Sequence, residues 1–258
     1  MNLKNKVVIV TGGASGLGKR TVEYFVADKH ARVAILDLNS DSGRSIVAAL
    51  GDDKVMYCPV DITDEAAVAA AVASVAEKFG RIDVCINCAG IGTPMKILDK
   101  EGRASGSCGK FAKVIAVNLL GSFNVMAHCV AAMAKNVPED AERGVVINIS
   151  SGAAFDGQVG QSAYAASKAG IVGLSLPVAR ELAGLGIRIN SIAPGLFNTP
   201  MVAALPPQII DNLVAVMQFP KRFGDMAEFA HACAFLCENA YANGECLRLD
   251  AAARLPPR

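Results

Sequence analysis

Tyr164 and Lys168 stand four residues apart in Tyr164-Ala165-Ala166-Ser167-Lys168, a spacing that puts both side chains on one face of a helix. A tyrosine hydroxyl, with an ordinary pKa of about 10, cannot act as a base at neutral pH unless its phenolate is stabilised, each unit of lowering being worth ~1.4 kcal/mol. A lysine ammonium on the same face can supply that stabilisation. Thirteen residues before Tyr164 lies Ser151, just past the apolar run Gly144 to Ser150, where a hydroxyl can hydrogen-bond an oxygen on which charge develops. Asn148 and Ser150 compete with it for that task.

A second cluster lies near the N-terminus, where Thr11-Gly12-Gly13-Ala14-Ser15-Gly16-Leu17-Gly18 leads into a helical stretch from Lys19. Glycines at such a turn let the backbone approach a pyrophosphate, whose charge the helix N-terminus stabilises. Gly12, Ser15, Gly16, Leu17 and Gly18 are therefore expected at the phosphates. Asp37 follows Gly18 by nineteen residues and closes the second apolar run. A carboxylate there accepts the ribose hydroxyls of NAD and repels the extra phosphate of NADP. The competing account, a tight turn with no ligand, is disfavoured by the strand before, the helix after and Asp37. Asp61, followed by Ile62, is placed either at the adenine amino group or in the N-cap region of the next helix, where Thr63 or Asp64 can cap instead.

The elements that must hold these residues are short β-rich runs alternating with helical patterns. Strands are expected at Val7 to Thr11, Arg32 to Asp37, Lys54 to Pro59, Val84 to Cys88, Gly144 to Ser150, Ile187 to Ile192 and Glu245 to Leu249. In the helical stretch Glu65 to Phe79, Val68, Val72, Val75 and Phe79 recur on one face. Strands apolar on both faces between such helices imply a doubly wound parallel sheet covered on each side, a single-domain α/β Rossmann fold over 1–258. Two long segments, an insertion at 92–109 and a substrate-binding segment at 194–220, are expected to border the site beyond the strand ends.

The spacing Thr-Gly-x-x-x-Gly-x-Gly at Thr11 to Gly18 resembles that of the short-chain dehydrogenase/reductase family. Asn87-Cys88-Ala89-Gly90 is similar to that family's Asn-Asn-Ala-Gly. Asn118, Ser151, Tyr164 and Lys168 match its catalytic Asn, Ser, Tyr and Lys, and the likeness covers nearly the whole chain. It implies that Lys168 also holds the nicotinamide ribose and, with the positive nicotinamide ring, favours the phenolate of Tyr164. It further implies that Asn118 positions a water between Lys168 and solvent. Additional cofactor contacts are implied at Asn87, Ala89, Gly90, Pro194, Gly195, Phe197 and Thr199.

Within the family, the stretches 155–161, 193–200 and 243–245 look closest to the type-2 3-hydroxyacyl-CoA dehydrogenase branch, which also acts on hydroxysteroids. That resemblance implies NAD-dependent, reversible oxidation of a 3-hydroxyacyl-CoA to a 3-ketoacyl-CoA. Gln158 is placed either at an acyl carbonyl or in loop packing. Leu196 and Leu205, with Phe197, Ile209, Leu213 and Met217, wall an apolar slot or form the core of a lid. Lys96, Lys100, Arg103 and Lys110 alternate with Asp99 and Glu101, which favours a solvated loop over a CoA phosphate site. The alternatives are a hydroxysteroid or broad secondary-alcohol dehydrogenase, a ketoacyl reductase disfavoured by Asp37, and a non-catalytic NAD-binding scaffold disfavoured by the intact Tyr164 and Lys168.

With 25 basic and 24 acidic side chains in 258 residues, the chain carries no field that would attract nucleic acid or a membrane surface. It contains no uninterrupted apolar run of ~18 residues, so no bilayer span is expected. His30, His128 and His231 are scattered, and Cys85 and Cys88, three apart on a strand, should face opposite ways, so no metal site is expected. Eight cysteines read as reduced thiols, and the start carries no Arg-rich presequence, giving an expected cytoplasmic setting. The resemblance implies a homotetramer.

Overall fold

Seven apolar runs form β1 (Val7–Thr11), β2 (Arg32–Asp37), β3 (Val55–Pro59), β4 (Val84–Asn87), β5 (Gly144–Ile149), β6 (Ile187–Pro194) and β7 (Cys246–Leu249). The computed structural model describes residues 1–203 and 206–257. All seven strands are parallel, in the order β3-β2-β1-β4-β5-β6-β7. β1 and β5 are buried along their whole length, as strands covered on both faces must be. The expected strands are all present; β6 alone runs two residues further, to Pro194.

Helices α1 (Gly16–Ala27), α2 (Ser40–Leu50) and α3 (Glu65–Phe79) follow the first three strands. Val68, Val72, Val75 and Phe79 face the core as their spacing predicts. Asp64 caps that helix, its side chain accepting from the Ala67 amide at 3.0 Å, and Gly80 ends it in the left-handed region. Next come α4 (Cys108–Ile115) and α5 (Ser122–Met133), joined by one π-helical turn, Ala116–Gly121. Then follow α6 (Ser162–Leu182), two short helices α7 (Pro200–Ala203) and α8 (Pro207–Ala215), and α9 (Met226–Glu238). One core layer lies between the sheet and α1, α2 and α9; the other lies between the sheet and α3, α5 and α6.

Strand register brings the site together. Thr11 pairs with Leu36 and Asn87, Asn87 with Asn148, and Ile149 with Ile192. The segments that follow, carrying the glycine loop, Asp37, Ala89, Ser151 and Gly195, therefore leave the same sheet edge. This is where ligands bind in open parallel sheets.

Cys85 of β4 and Cys88, just past its end, do point apart. Cys85 lies in the layer with α5, beside Cys129, whereas Cys88 packs against the opposite layer. All eight cysteines are free, and among the described residues no group of His, Cys, Asp and Glu has the makings of a metal site. The continuous helix from Cys108 to Met133 is long and apolar enough to cross a bilayer, with a mean hydropathy of 1.7. Its sequence holds no uninterrupted apolar run of that length, because Lys113 and Asn118 break the run without breaking the helix. Val114, Asn118, Val125, Met126, Cys129 and Met133 of this helix are buried.

Beneath the site, Arg188 of β6 gathers the backbone at the end of α9. It donates to the carbonyls of Leu236, Cys237, Asn239 and Ala242 at 2.7–3.0 Å and pairs with Glu142 at 2.5 Å. Arg188→Met leaves those buried carbonyls without their donor and takes from Glu142 one of its two cations, the other being the Met1 ammonium at 3.2 Å. It is expected to destabilise the fold by ~3–5 kcal/mol, read from urea denaturation midpoints.

Candidate active site

The end of β5 separates the three polar candidates. Asn148 is buried and accepts a hydrogen bond from Asn87 Nδ2 at 2.8 Å. Ser150 is buried and donates to the backbone carbonyl of Lys168 at 2.7 Å. Ser151 alone acts on Tyr164, pulling its hydroxyl downward in pKa, while its Oγ accepts from the Ala153 amide at 3.2 Å and so opens the short 3-10 turn Gly152–Ala154. The first two hold the scaffold, and Ser151 faces the tyrosine.

Tyr164 and Lys168 share one face of α6. Lys168 is 4% exposed, and its Nζ donates to the Ile149 carbonyl at 2.7 Å, lying 5.7 Å from the centre of the Tyr164 ring. Burial pulls its ammonium down to about 8. The expectation that Lys168 lowers Tyr164 needs correcting for the chain alone. Burial raises the phenol above its ordinary value, and only the Ser151 hydrogen bond works the other way. Lys168 Nζ, 5.7 Å from the ring centre, does not offset that penalty in the chain alone.

Asn118, fully buried, sits in the π turn between α4 and α5, a helix irregularity common at functional sites. Its Oδ1 accepts from the Ile91 amide at 2.8 Å, and its Nδ2 donates to the Ile91 carbonyl at 2.9 Å and to Ser167 Oγ at 3.0 Å. Ser167 Oγ in turn donates to the Tyr164 carbonyl. Asn118 thus binds the chain after β4 to α6. Gly90 passes so close that a Cβ would lie 3.2 Å from Asn118 Oδ1 and 3.3 Å from Lys168 Nζ.

The glycine loop has the form of a phosphate cradle. Gly12 and Gly16 adopt φ of 64° and 50°, and a Cβ on Gly18 would overlap the Gly12 carbonyl oxygen, while one on Gly16 would meet nothing within 4 Å. Ser15 and Leu17 flank Gly16 at the start of α1. Thr11 Oγ1 accepts from the Ala89 amide at 3.1 Å, which ties the loop to the end of β4. Asp37 ends β2 with Oδ2 accepting from the Ala14 amide at 3.0 Å and Oδ1 from Asn39 at 2.9 Å. Each carboxylate oxygen keeps a further lone pair for a hydroxyl. A turn open at Gly16, a helix N-terminus behind it and an oriented carboxylate at the neighbouring strand end together fit a dinucleotide.

The remaining candidates fall into place unevenly. Asp61 is exposed and accepts from the backbone and hydroxyl of Thr63, which hold its carboxyl below the usual range; Asp64 is the cap. Ile62 is buried against Gly121. Asn87 is buried, and its Nδ2 also donates to the Ser122 carbonyl. Pro194 and Gly195 follow Ser191 and Ile192 at the end of β6, and Thr199 is half-buried nearby. The Phe197 ring is in the core, edge-on to Phe229. Gln158 is turned to the C-terminal tail, donating to the Pro256 carbonyl at 3.0 Å and accepting from Gln161. Leu196 lines a cavity of about 260 Å³ with Phe197, Met217, Leu249 and Ala251. Leu205 lies outside the described residues. Arg103 is engaged by Asp99 and Glu101, in keeping with a solvated loop.

Sequence reasoning missed the hydroxyls of Thr11 and Ser167, the carbonyl of Ile149 and the thiol of Cys88, which burial beside Lys168 pushes up to about 12. Thr11 and Cys88 stood inside motifs and Ser167 one residue before the lysine, but nothing in the sequence marked the Ile149 carbonyl.

Residues 6–209 match the family model described as short chain dehydrogenase. The chain is 46% identical over 256 residues to 3-hydroxyacyl-CoA dehydrogenase type-2 of Drosophila melanogaster, covering 99% of this chain and 100% of that one. It is 45% identical to the Homo sapiens protein of the same name, covering 99% and 98%. The crystal structure of 3-hydroxyacyl-CoA dehydrogenase type-2 from Mycobacterium avium superposes with a TM-score of 0.92 at 38% identity, over 98% of each chain.

The buried ammonium yields a prediction. Between about pH 8 and its ordinary 10.5, the unfolded chain still holds a proton on Lys168 that the folded chain has released, so wild-type stability rises with pH across that window. Lys168→Met is expected to stabilise the ligand-free fold at neutral pH by ~1–3 kcal/mol. The gain should shrink as pH climbs through the window, which denaturant midpoints at several pH values will read.

Proposed function

The chain belongs to the short chain dehydrogenase family, and from that premise we propose that it oxidises a 3-hydroxyacyl-CoA to the 3-ketoacyl-CoA, reversibly and with NAD. The observation that carries the chemistry is the Ser151–Tyr164–Lys168 group at the sheet edge. The near-full-length likeness to 3-hydroxyacyl-CoA dehydrogenases supports the substrate class. Asp37, oriented by two backbone amides, supports NAD over NADP.

A nicotinamide cofactor, when bound, supplies the acceptor for the hydride. The chain's own residues do the rest. Ser151 Oγ donates to the substrate oxygen and holds it beside Tyr164. In the oxidative direction the Tyr164 phenolate takes the hydroxyl proton, and in the reductive direction the phenol returns it to the carbonyl oxygen. Because burial favours the neutral phenol, the chain alone is set as the acid. Lys168, fixed by Ile149, favours the phenolate once charge moves onto Tyr164. Asn118 and Ser167 keep Ile91 and α6 in place around it.

Two further parts of the reading concern assembly and setting. We propose a homotetramer, supported by Leu120 and Phe123, which stand 59% and 52% exposed on the Cys108–Met133 helix. The eight unbridged thiols support a reducing, cytoplasmic compartment.

Tyr164→Phe should lower turnover by roughly 10²- to 10⁴-fold and leave NADH affinity nearly unchanged; retained turnover would sink the assignment. In the wild type, oxidation should speed up as pH rises while reduction does not, and a flat oxidative profile would count against Tyr164 as base. Asp37→Ser should shift kcat/KM toward NADPH. The substrate is decided by comparing kcat/KM for acetoacetyl-CoA with that for an oxosteroid, both with NADH. A clear preference for the steroid favours a hydroxysteroid dehydrogenase instead.

A further inference from the structure

Ser151 opens a short turn closed by its own hydrogen bonds, from the Ala154 amide to the Ser151 carbonyl and from the Phe155 amide to the Gly152 carbonyl, both at 3.0 Å. Beyond it the chain runs irregularly to Ser162, with Phe155 and Val159 48% and 56% exposed. Fixed points for that stretch come from much further along the chain. Arg248 of β7 donates from Nη2 to Asp156 Oδ2 at 2.6 Å, and its guanidinium lies 4.9 Å from the centre of the Phe155 ring. The Asp156 amide donates to the Gly152 carbonyl at 2.9 Å, so this ion pair closes directly on the turn that Ser151 begins. Further along, Gln158 and the Val159 amide donate to the carbonyls of Pro256 and Pro257.

The same guanidinium serves a second carboxylate. Arg248 Nε donates to Asp250 Oδ2 at 2.8 Å, and Arg254 approaches that oxygen at 3.2 Å. Asp250 is backed against the segment leaving β6, where a Cβ on Gly195 would come within 2.8 Å of it, and the Gly195 amide donates to the Leu249 carbonyl. Arg248 and Asp156 are 22% and 18% exposed and Asp250 is 8% exposed, so neither contact is a freely solvated surface pair. One cation therefore holds two segments: the turn that places Ser151 and the strand end that carries Pro194 and Gly195.

We propose that Arg248 is a positioning residue for the reaction, setting Ser151 through Asp156 against the Pro194–Gly195 segment through Asp250. The inference rests on the role given above to Ser151. Its chemical content is geometric. The substrate oxygen must meet Ser151 and Tyr164 together, while the carbon that bears it faces the cofactor held along the β6 end, and a displacement of about 1 Å between the two segments costs ~10²-fold in rate.

The test uses the full-length protein with Arg248→Gln, Asp156→Asn, the double variant, and the conservative Asp156→Glu and Arg248→Lys. Each is assayed for NADH-dependent reduction of acetoacetyl-CoA, NADH affinity by fluorescence, and hydrogen exchange of peptides spanning 151–161 and 193–199. Each single neutralisation is expected to lower kcat by ~10- to 100-fold while NADH affinity stays within about threefold of wild type. The double variant should fall no further than the worse single, since both act through one contact. Asp156→Glu should recover most of the loss. Arg248→Gln should speed exchange in both peptides and Asp156→Asn chiefly in 151–161, a readout that needs no substrate. Losses that multiply in the double variant, kcat unchanged in either single, or faster exchange confined to the C-terminal tail would overturn the proposal. Wild-type inactivity on acetoacetyl-CoA would count against the substrate reading alone, because hydrogen exchange still decides the coupling; where Arg248→Gln folds poorly, Arg248→Lys provides the same comparison with the charge kept.

Discussion

A positive charge enclosed by protein is costly wherever it sits, and the site is organised around one. Lys168 is 4% exposed, and the partner in reach of its ammonium is the Ile149 carbonyl at the end of β5. Ser150 repeats the connection in the opposite sense, donating to the backbone carbonyl of Lys168. Two hydrogen bonds thus lock α6 to the end of β5, one from the helix and one from the strand. Tyr164 rides on the helix and Ser151 on the continuation of the strand, so their meeting follows from that lock. A hydrophobic side chain at 168 would make a quieter interior, which is the sense in which function here works against stability.

The sheet extends the same logic. Each residue near the lock reaches it through a strand end in register with its neighbour: Thr11 beside Asn87, Asn87 beside Asn148, Ile149 beside Ile192. Hydrogen bonds from Asn87 Nδ2 to Asn148 and from the Ala89 amide to Thr11 tie these ends across strands, although Asn87 Oδ1 is buried without a partner. A buried asparagine is expensive unless bonded, and here such bonds fix how far apart the emerging loops stand. Asn118 performs the corresponding task from the helical side, from within the π turn.

Legibility in the sequence followed the length scale of the interaction. Strands showed themselves as β-branched apolar runs, α3 as a one-face repeat, the cradle as glycines between strand and helix, and Tyr164 with Lys168 as a four-residue spacing. What stayed hidden required knowing who sits opposite. Ser150 and Ser151 are chemically identical neighbours, separable by spacing or by the partners each one meets. The upward displacement of Tyr164 depends on enclosure by distant segments, and the π turn at Asn118 leaves no mark in an otherwise helical pattern. Asp37 was legible as a carboxylate at the right place, but not the two backbone amides that aim it.

The carbonyl of Pro256 that receives Gln158 lies 98 residues further along the chain, and Pro257 receives the Val159 amide beside it. A ribosome releases a polypeptide from its N-terminus onward, and domains begin to organise as they emerge. The glycine cradle, β1 to β5 and the tyrosine helix are therefore all made before the carbonyls that fasten the stretch beside Ser151. During synthesis the reactive corner gains this fastening later than the sheet and helix that carry it.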